Sequence, residues 1–182
     1  MYEVEVKVRT PHGPVRERLA DLGASREGTV RQADTYLNHP VRDFAETDEA
    51  LRVRREERDG TERAELTYKG PLVEAESKTH EELETEVQAG DTAAAIFERL
   101  GFDPAATVEK TRERYRVGEF TVTLDTVEGL GEFVEVETDV PAESDVEAAR
   151  ERAYDVLADL GLDPAAQIRT SYLGLLLGDS PE

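Results

Sequence analysis

The sequence predicts an α+β fold in which eight mostly antiparallel strands close into a β-barrel with a charged interior and helices packed outside. Eight segments have strand character, charged and apolar residues alternate along them, and three helical segments each carry one apolar stripe. Because successive side chains in a strand point to opposite faces, this alternation gives a strand one charged face and one apolar face. Such strands can close into a barrel whose apolar outer surface is covered by helices.

The first strand shows the alternation most clearly, because Glu3, Glu5 and Lys7 share one face and valines occupy the other. Charged residues at alternate positions recur at Arg52 and Arg54, at Glu82, Glu84 and Glu86, at Lys110, Arg112 and Arg114, and at Glu135 and Glu137. The strand candidates are residues 2–8, 29–38, 50–58, 62–69, 80–88, 107–117, 119–126 and 131–138. A barrel lined by these acids and bases is suited to hold metal ions together with a polyanion.

The three helices are predicted from apolar periodicity and from a glycine at each C-terminal end. They lie between Thr10-Pro11 and Gly23, from near Asp91 to Gly101, and from Ser144 to Gly161. Ser144 and Glu147 have the spacing of a capping box, so we expect the third helix to begin at Ser144. Since each helix has one apolar stripe, each is expected to cover the outside of the sheet.

The order of elements is the same in residues 2–69 and 80–138, namely a strand, a helix and three strands. We therefore predict a single domain, residues 1–182, built from two copies of one unit. Residues 143–182 follow as a helical cover. Tyr172 and the leucines after it are expected to close one end of the barrel.

The composition excludes several classes of function. The chain has 42 acidic and 22 basic residues and a formal net charge of −20, which disfavours nucleic acid and anionic membranes as partners. Cysteine is absent, so disulfides and thiolate chemistry are excluded. No apolar run reaches the ~18 residues of a membrane span, and we expect no signal peptide before the first strand. We expect a cytoplasmic protein, and the abundant acid with scarce lysine indicates a high-salt organism.

Six elements in register resemble the CYTH family, also called the triphosphate tunnel metalloenzymes. They are Glu3-x-Glu5-x-Lys7, Leu51-Arg52-x-Arg54, Tyr68-Lys69, Lys110-x-Arg112, Asp125 and Glu135-x-Glu137. The resemblance covers nearly the whole chain and implies an eight-stranded antiparallel tunnel that binds a triphosphate with a divalent metal. Within the family, three segments look most like the class IV adenylate cyclase branch. These are Gln32-x-Asp34-Thr35-Tyr36, the stretch from Arg42 to Arg52, and Ser171-Tyr172-x-x-Leu175-Leu176.

The cations predicted to bind a triphosphate are Lys7, Arg52, Arg54, Lys69, Lys110, Arg112 and Arg114. Arginine suits bidentate binding of phosphate, and lysine acts as a point charge. Arg114 either joins this clamp or pairs with a tunnel acid. The alternative for all of them is that they neutralise carboxylates on neighbouring strands, and we expect such pairing when no ligand is bound.

The carboxylates predicted to bind metal are Glu3, Glu5, Asp125, Glu135 and Glu137. Oxygen ligands without histidine or cysteine suit Mg²⁺ or Mn²⁺. Lys69, Asp125 and Glu135 are the predicted catalytic residues. The roles of Glu82, Glu84, Glu86 and His80 are left open.

The predicted function is that of a metal-dependent enzyme acting on a triphosphate, and most resembles a class IV adenylate cyclase that converts ATP to cyclic AMP and pyrophosphate. The alternative is hydrolysis of tripolyphosphate or thiamine triphosphate on the same scaffold. A third hypothesis is a polyphosphate- or nucleotide-binding module without catalysis. The sequence leaves open the substrate, the choice and number of metals, and the oligomeric state, a homodimer included.

Overall fold

In the computed structural model, which describes residues 1–74 and 76–178, eight strands form a closed barrel. The strands are β1 (Tyr2–Arg9), β2 (Ser25–Asn38), β3 (Ala50–Arg58), β4 (Thr61–Glu74), β5 (Lys78–Val87), β6 (Asp103–Val117), β7 (Phe120–Val127) and β8 (Gly131–Val140). Around the barrel they follow the order β1-β5-β4-β3-β2-β6-β7-β8, and every described pair is antiparallel. The predicted α+β barrel is therefore confirmed.

The helices are α1 (His12–Asp21), α2 (Phe44–Thr47), α3 (Gly90–Arg99), α4 (Val146–Asp159) and α5 (Tyr172–Leu176). The three predicted helices correspond to α1, α3 and α4, and α2 is too short for its periodicity to be detected. The glycines that follow the three helices, Gly23, Gly101 and Gly161, have φ values of 68°, 97° and 76°, as helix-ending glycines should. None of the helices in the described ranges is long and apolar enough to cross a membrane.

The start of α4 differs from the prediction. Residues Glu143–Asp145 form a 3₁₀ turn, and α4 is preceded by Asp145 rather than by Ser144. No side-chain cap is present there, so the predicted capping box of Ser144 and Glu147 is wrong. In the 3₁₀ turn, the Asp145 amide donates a hydrogen bond to the Ala142 carbonyl at 3.0 Å. This bond satisfies an amide that would otherwise need a side-chain cap.

The apolar side of the barrel faces outward, toward the helices. Val15 and Leu19 of α1 and Leu157 of α4 pack against Val6 and Val134 on the outer face of the sheet. On the other side of the barrel, α3 packs through Phe97 onto a second apolar cluster built on β2 and β3. Because these outward positions alternate with the charged ones, burial of the valines directs the charged side chains into the barrel.

The two runs of elements have equivalent places in the barrel. The run β1-α1-β2-α2-β3-β4 is followed by β5-α3-β6-β7-β8. The two runs join through the strand pairs β1–β5, β2–β6, β4–β5 and β1–β8. This arrangement supports the interpretation of two related units, which stays a proposal. Residues 179–182, at the end of the predicted helical cover, lie outside the described residues.

Candidate active site

The interior of the barrel is a charged cavity of about 1730 Å³. The predicted site residues that line it are Glu3, Glu5, Lys7, Arg52, Arg54, Lys69, Lys110, Arg112, Arg114, Glu135 and Glu137. The four lysines of the chain, Lys7, Lys69, Lys78 and Lys110, all line it too. Strand alternation thus brings cations and acids from all over the chain into one tunnel.

The first group of ion pairs is centred on Asp34 of β2, which is 1% exposed. Arg54 donates to both carboxylate oxygens, at 2.6 and 2.8 Å, while Arg52 and Lys110 lie 3.8 and 3.9 Å away. Burial opposes ionisation of Asp34, but the positive charge of Arg54, with help from the other two cations, holds its pKa well below the usual range. Asp34 is therefore an anion surrounded by the predicted clamp.

Asp34 is not among the predicted site residues, although it falls within a segment that resembles one branch of the family. A signal was present, because Asp34 shares strand parity with Gln32 and Tyr36. Its importance depends on the register, in which Asp34 lies directly opposite Arg54 on β3. Pairing between strands cannot be read from a single strand.

The second group is centred on Arg112 of β6. Its guanidinium donates to Asp125 at 2.7 and 2.6 Å and also to Glu135, and it lies 3.8 Å from Glu137. Burial would lower the pKa of Arg112, but the charges of Asp125 and Glu135 raise it well above the ordinary value. Asp125 is fully buried and also accepts the Tyr172 hydroxyl at 3.1 Å. Asp125 was predicted as a metal ligand and catalytic residue. In the structure its carboxylate is bonded to Arg112 and Tyr172.

A carboxylate cluster forms the third group. In the described part of the chain, Glu5, Glu135 and Glu137 each bring an oxygen within 4.8 Å of the other two. Lys7 lies 3.4 Å from Glu5 and 3.9 Å from Glu135. Burial opposes ionisation of Glu135, but the charge of Arg112, followed by that of Lys7, holds its pKa below the usual range.

Glu137 is the carboxyl group of this cluster that holds its proton most tightly. Burial raises its pKa to about 8, and the negative charges of Glu3, Glu135 and Glu5 add to this effect against the opposing charge of Arg112. A bound cation would remove that penalty, and an all-carboxylate donor set suits a hard divalent ion such as Mg²⁺ or Mn²⁺. The residues therefore fit a metal site.

Glu3 stands apart from this cluster. Its carboxylate pairs with Lys69, which also lies 3.4 Å from Glu82. Burial would lower the pKa of Lys69, but the charge of Glu3, with that of Glu82, raises it above the ordinary value. Of the acids whose roles were left open, Glu82 and Glu84 lie 3.5 and 3.7 Å from Arg52, and Glu84 and Glu86 are both exposed.

Two further side chains of the tunnel, Arg114 and Tyr172, contact charged residues. Arg114 pairs with Glu56 at 2.7 Å, as the alternative of pairing with an acid anticipated. The Tyr172 ring lies 4.5 Å from the Lys7 ammonium and packs beside Phe133, Val108 and Val127. The α5 segment therefore lies over the barrel end where β7 finishes and β8 begins.

A closed eight-stranded tunnel that combines a carboxylate cluster with buried arginines and lysines defines a class of metal-dependent proteins that bind polyphosphates. The sequence profile of the CYTH domain family matches residues 1–172, and the chain belongs to this family. The family is metal-dependent and acts on triphosphates.

Individual relatives agree with this assignment. A Methanocaldococcus jannaschii protein named "Putative adenylate cyclase MJ0240" is 38% identical over 176 residues, which cover 96% of this chain and 98% of that protein. The structure of the PH1819 protein from Pyrococcus horikoshii is similar with a TM-score of 0.90 and 40% identity, over 96% of this chain and 98% of the other. The HpAC1 protein from Hippeastrum, at 21% identity, shares the fold with a TM-score of 0.66, over 98% and 97% of the two chains.

Proposed function

We propose that this protein is a metal-dependent adenylate cyclase, which converts ATP to cyclic AMP and pyrophosphate. The main support for the proposal is that the cluster of Glu5, Glu135 and Glu137 lies in the same tunnel as buried arginines and lysines. The name of the Methanocaldococcus jannaschii relative supports the choice of reaction. The tunnel also has apolar and aromatic lining, including Tyr36 and Phe44, which a purine base could contact.

The predicted clamp would act by exchanging partners. Without ligand, its cations are neutralised by tunnel acids, as in the pairs Arg54–Asp34 and Lys69–Glu3. A triphosphate brings several negative charges into the same space, so its oxygens can share these cations at little further cost of desolvation. Arg52, Arg54 and Arg112 would orient the phosphates through paired N–H groups, and the lysines would add charge.

The carboxylate cluster would hold the metal through Glu5, Glu135 and Glu137. When bound, Mg²⁺ or Mn²⁺ supplies charge that neutralises phosphate oxygens and favours ionisation of the attacking hydroxyl. In the proposed reaction the ribose 3′ oxygen bonds to the α-phosphorus as the bond to the pyrophosphate oxygen breaks, and the hydroxyl proton is lost to water. The clamp stabilises the charge that develops on the leaving pyrophosphate.

A second candidate is hydrolysis of tripolyphosphate or thiamine triphosphate. It is favoured by the HpAC1 protein, which shares the fold and is described as having a dominant triphosphatase activity. Both reactions use the same clamp and differ in the phosphorus atom that meets the nucleophile. The third hypothesis, a binding module without catalysis, is disfavoured because a pure anion binder gains nothing from three clustered acids.

Product analysis tests the proposal. The protein is incubated at high KCl with ATP or tripolyphosphate and with Mg²⁺ or Mn²⁺, and matched samples contain EDTA. We expect cyclic AMP and pyrophosphate in equal amounts, and neither in EDTA. Formation of orthophosphate without cyclic AMP would reject the cyclase and support a triphosphatase. If neither substrate gave a product, the non-catalytic binding module would be the remaining hypothesis.

Replacement of Lys69 by methionine is expected to weaken tripolyphosphate binding by about 10- to 100-fold, because a charge-assisted contact worth about 1.5–3 kcal/mol is lost. The measurement is calorimetric titration at fixed salt. Arg63→Met is the matched control, since it removes an exposed cation from the same strand. Equal affinities for wild type and Lys69→Met would reject the clamp role of Lys69.

A further inference from the structure

Three polar side chains near one end of the tunnel lie outside the predicted clamp and the carboxylate cluster. Asp48 directly follows α2, and Lys78 and His80 lie on the first residues of β5. All three line the cavity. Lys78 donates to both carboxylate oxygens of Asp48, each at 2.9 Å. The group therefore contains one cation and one anion, with an imidazole beside them.

The surroundings of His80 fix its tautomer. The side chain is 1% exposed, and Nδ1 lies 2.8 Å from the Gly70 carbonyl oxygen. A carbonyl oxygen only accepts, so Nδ1 must carry the hydrogen. Burial lowers the pKa of His80, which agrees with a neutral ring. Nε2 is then a bare acceptor, and it has no hydrogen-bond partner among the described residues.

His80 Nε2 is consequently a buried acceptor without a donor, while the Asp48 oxygen nearest to it accepts from Lys78. His80 Nε2 lies 3.7 Å from Asp48 Oδ2, and neither atom has a hydrogen to give the other. A buried acceptor without a partner is costly, so the position calls for a ligand group that donates a hydrogen bond to Nε2. A donor group with two hydrogens could also reach Asp48, whose carboxylate can accept a further bond. Lys78 stands next to this gap as a donor and can serve an acceptor on the same ligand.

Apolar side chains line the cavity near this group and suit a ligand with an aromatic body. Leu72 is paired with His80 across β4 and β5, and Phe44 begins α2, the helix that ends before Asp48. Both side chains line the cavity. An amine beside a ring acceptor, on a flat apolar body, is the edge that adenine presents through its N6 amine and N1. Hypoxanthine and guanine present the reverse pattern there, an O6 acceptor beside an N1 donor.

We propose that Asp48, Lys78 and His80 form a subsite for the amine-bearing edge of the adenine of a bound nucleoside triphosphate. The N6 amine donates to His80 Nε2 and to Asp48, and N1 accepts from Lys78. The subsite borders the clamp, because His80 is paired with Glu3 on β1 and Glu3 contacts Lys69. The inference rests on the proposed function and deepens it, since it names the side chains that would recognise the adenine of the substrate.

The test compares ligands that differ in one feature. Dissociation constants are measured calorimetrically for ATP, ITP, 2′-deoxy-ATP and tripolyphosphate, in EDTA to prevent metal-dependent turnover and again with Mg²⁺. ITP replaces the N6 amine by oxygen, and 2′-deoxy-ATP removes the ribose 2′-hydroxyl, another group that could donate to the two acceptors. Wild type is expected to bind ATP about tenfold or more tighter than ITP, with 2′-deoxy-ATP close to ATP.

Two variants separate recognition from folding. His80→Asn places an amide nitrogen where Nδ1 lies, so it keeps the Gly70 bond and removes only the Nε2 acceptor. Asp48→Asn is compatible with the backbone φ of 54° at that position. His80→Asn should weaken ATP binding about tenfold and leave the affinity for tripolyphosphate unchanged. Asp48→Asn should reduce or reverse the ratio of the affinities for ATP and ITP. Lys69→Met is the control that weakens all the triphosphates without altering the ATP-to-ITP ratio.

Each other result overturns the assignment in a distinguishable way. Equal binding of ATP and ITP by wild type, with tripolyphosphate still bound, removes the subsite and leaves the triphosphate site. Loss of affinity for 2′-deoxy-ATP but not for ITP assigns the donors to the ribose and rejects the base edge. Absence of binding by any of the ligands, with or without Mg²⁺, removes the proposed function and the subsite with it.

Discussion

Glu135→Gln is expected to lower kcat with ATP by about a thousandfold, which corresponds to a loss of about 4 kcal/mol of transition-state stabilisation by the metal. The substitution keeps the volume of the side chain and a hydrogen-bond acceptor for Arg112. It removes a carboxylate, whose pKa is held below the usual range, from the three acids that form the cluster. Triphosphate binding should stay measurable, because the clamp cations are unchanged. Steady-state kinetics over a range of Mg²⁺ concentrations provide the measurement.

Glu109→Gln is the matched control, since it makes the same chemical change on an exposed position of β6. It is expected to have wild-type kinetics. If Glu135→Gln had wild-type kcat and the same dependence on Mg²⁺, Glu135 would not be a metal ligand. If Glu135→Gln bound neither ATP nor tripolyphosphate, the substitution would have disrupted the triphosphate clamp around Arg112. The assignment of Glu135 to catalysis would then fail.

Asp34→Ala is expected to lower the free energy of unfolding by about 3–5 kcal/mol, because it leaves buried cations without their counter-charge. Arg54 would lose two hydrogen bonds, and Arg52 and Lys110 would lose a nearby anion. Urea unfolding at fixed KCl measures the change. Added tripolyphosphate should stabilise the variant more than wild type, since phosphate oxygens can supply the missing charge.

The same interaction predicts a dependence on pH. The pKa of Asp34 is depressed in the folded state, so its contribution is fully present above its unfolded value of about 3.9. The contribution declines as the pH falls below that value, and the difference in stability between wild type and Asp34→Ala should shrink there. Asp155→Ala, on the exposed side of α4, is the control. A loss below about 1 kcal/mol for Asp34→Ala at neutral pH would contradict the buried-network account.

The strands and the inward direction of the charges were predictable because both depend on a local property, the alternation of side chains along a strand. Val4 and Val6 are fully buried on the outer face, so Glu5 and Lys7 must point inward. Local signals failed at the start of α4. The spacing of Ser144 and Glu147 was compatible with a cap, but the chain forms a 3₁₀ turn there instead.

The grouping of the charges within the tunnel was less predictable. Glu3 and Asp125 were predicted as metal ligands together with Glu5, Glu135 and Glu137. In the structure, Glu3 pairs with Lys69 and Asp125 pairs with Arg112. Which acid meets which base depends on strand register, on stagger around the barrel and on the reach of each side chain. None of these quantities is local to one strand.

The sequence by itself determined that this protein is a barrel with acids and bases on its inner face, because burial of the apolar face allows no other orientation of the charged one. Only the tertiary structure decided which three carboxylates come together, that Asp34 neutralises the clamp, and that His80 Nε2 faces Asp48 without a donor. The physical reason is that electrostatic partners are chosen by distances between strands far apart in the chain, and those distances are set only when the barrel closes.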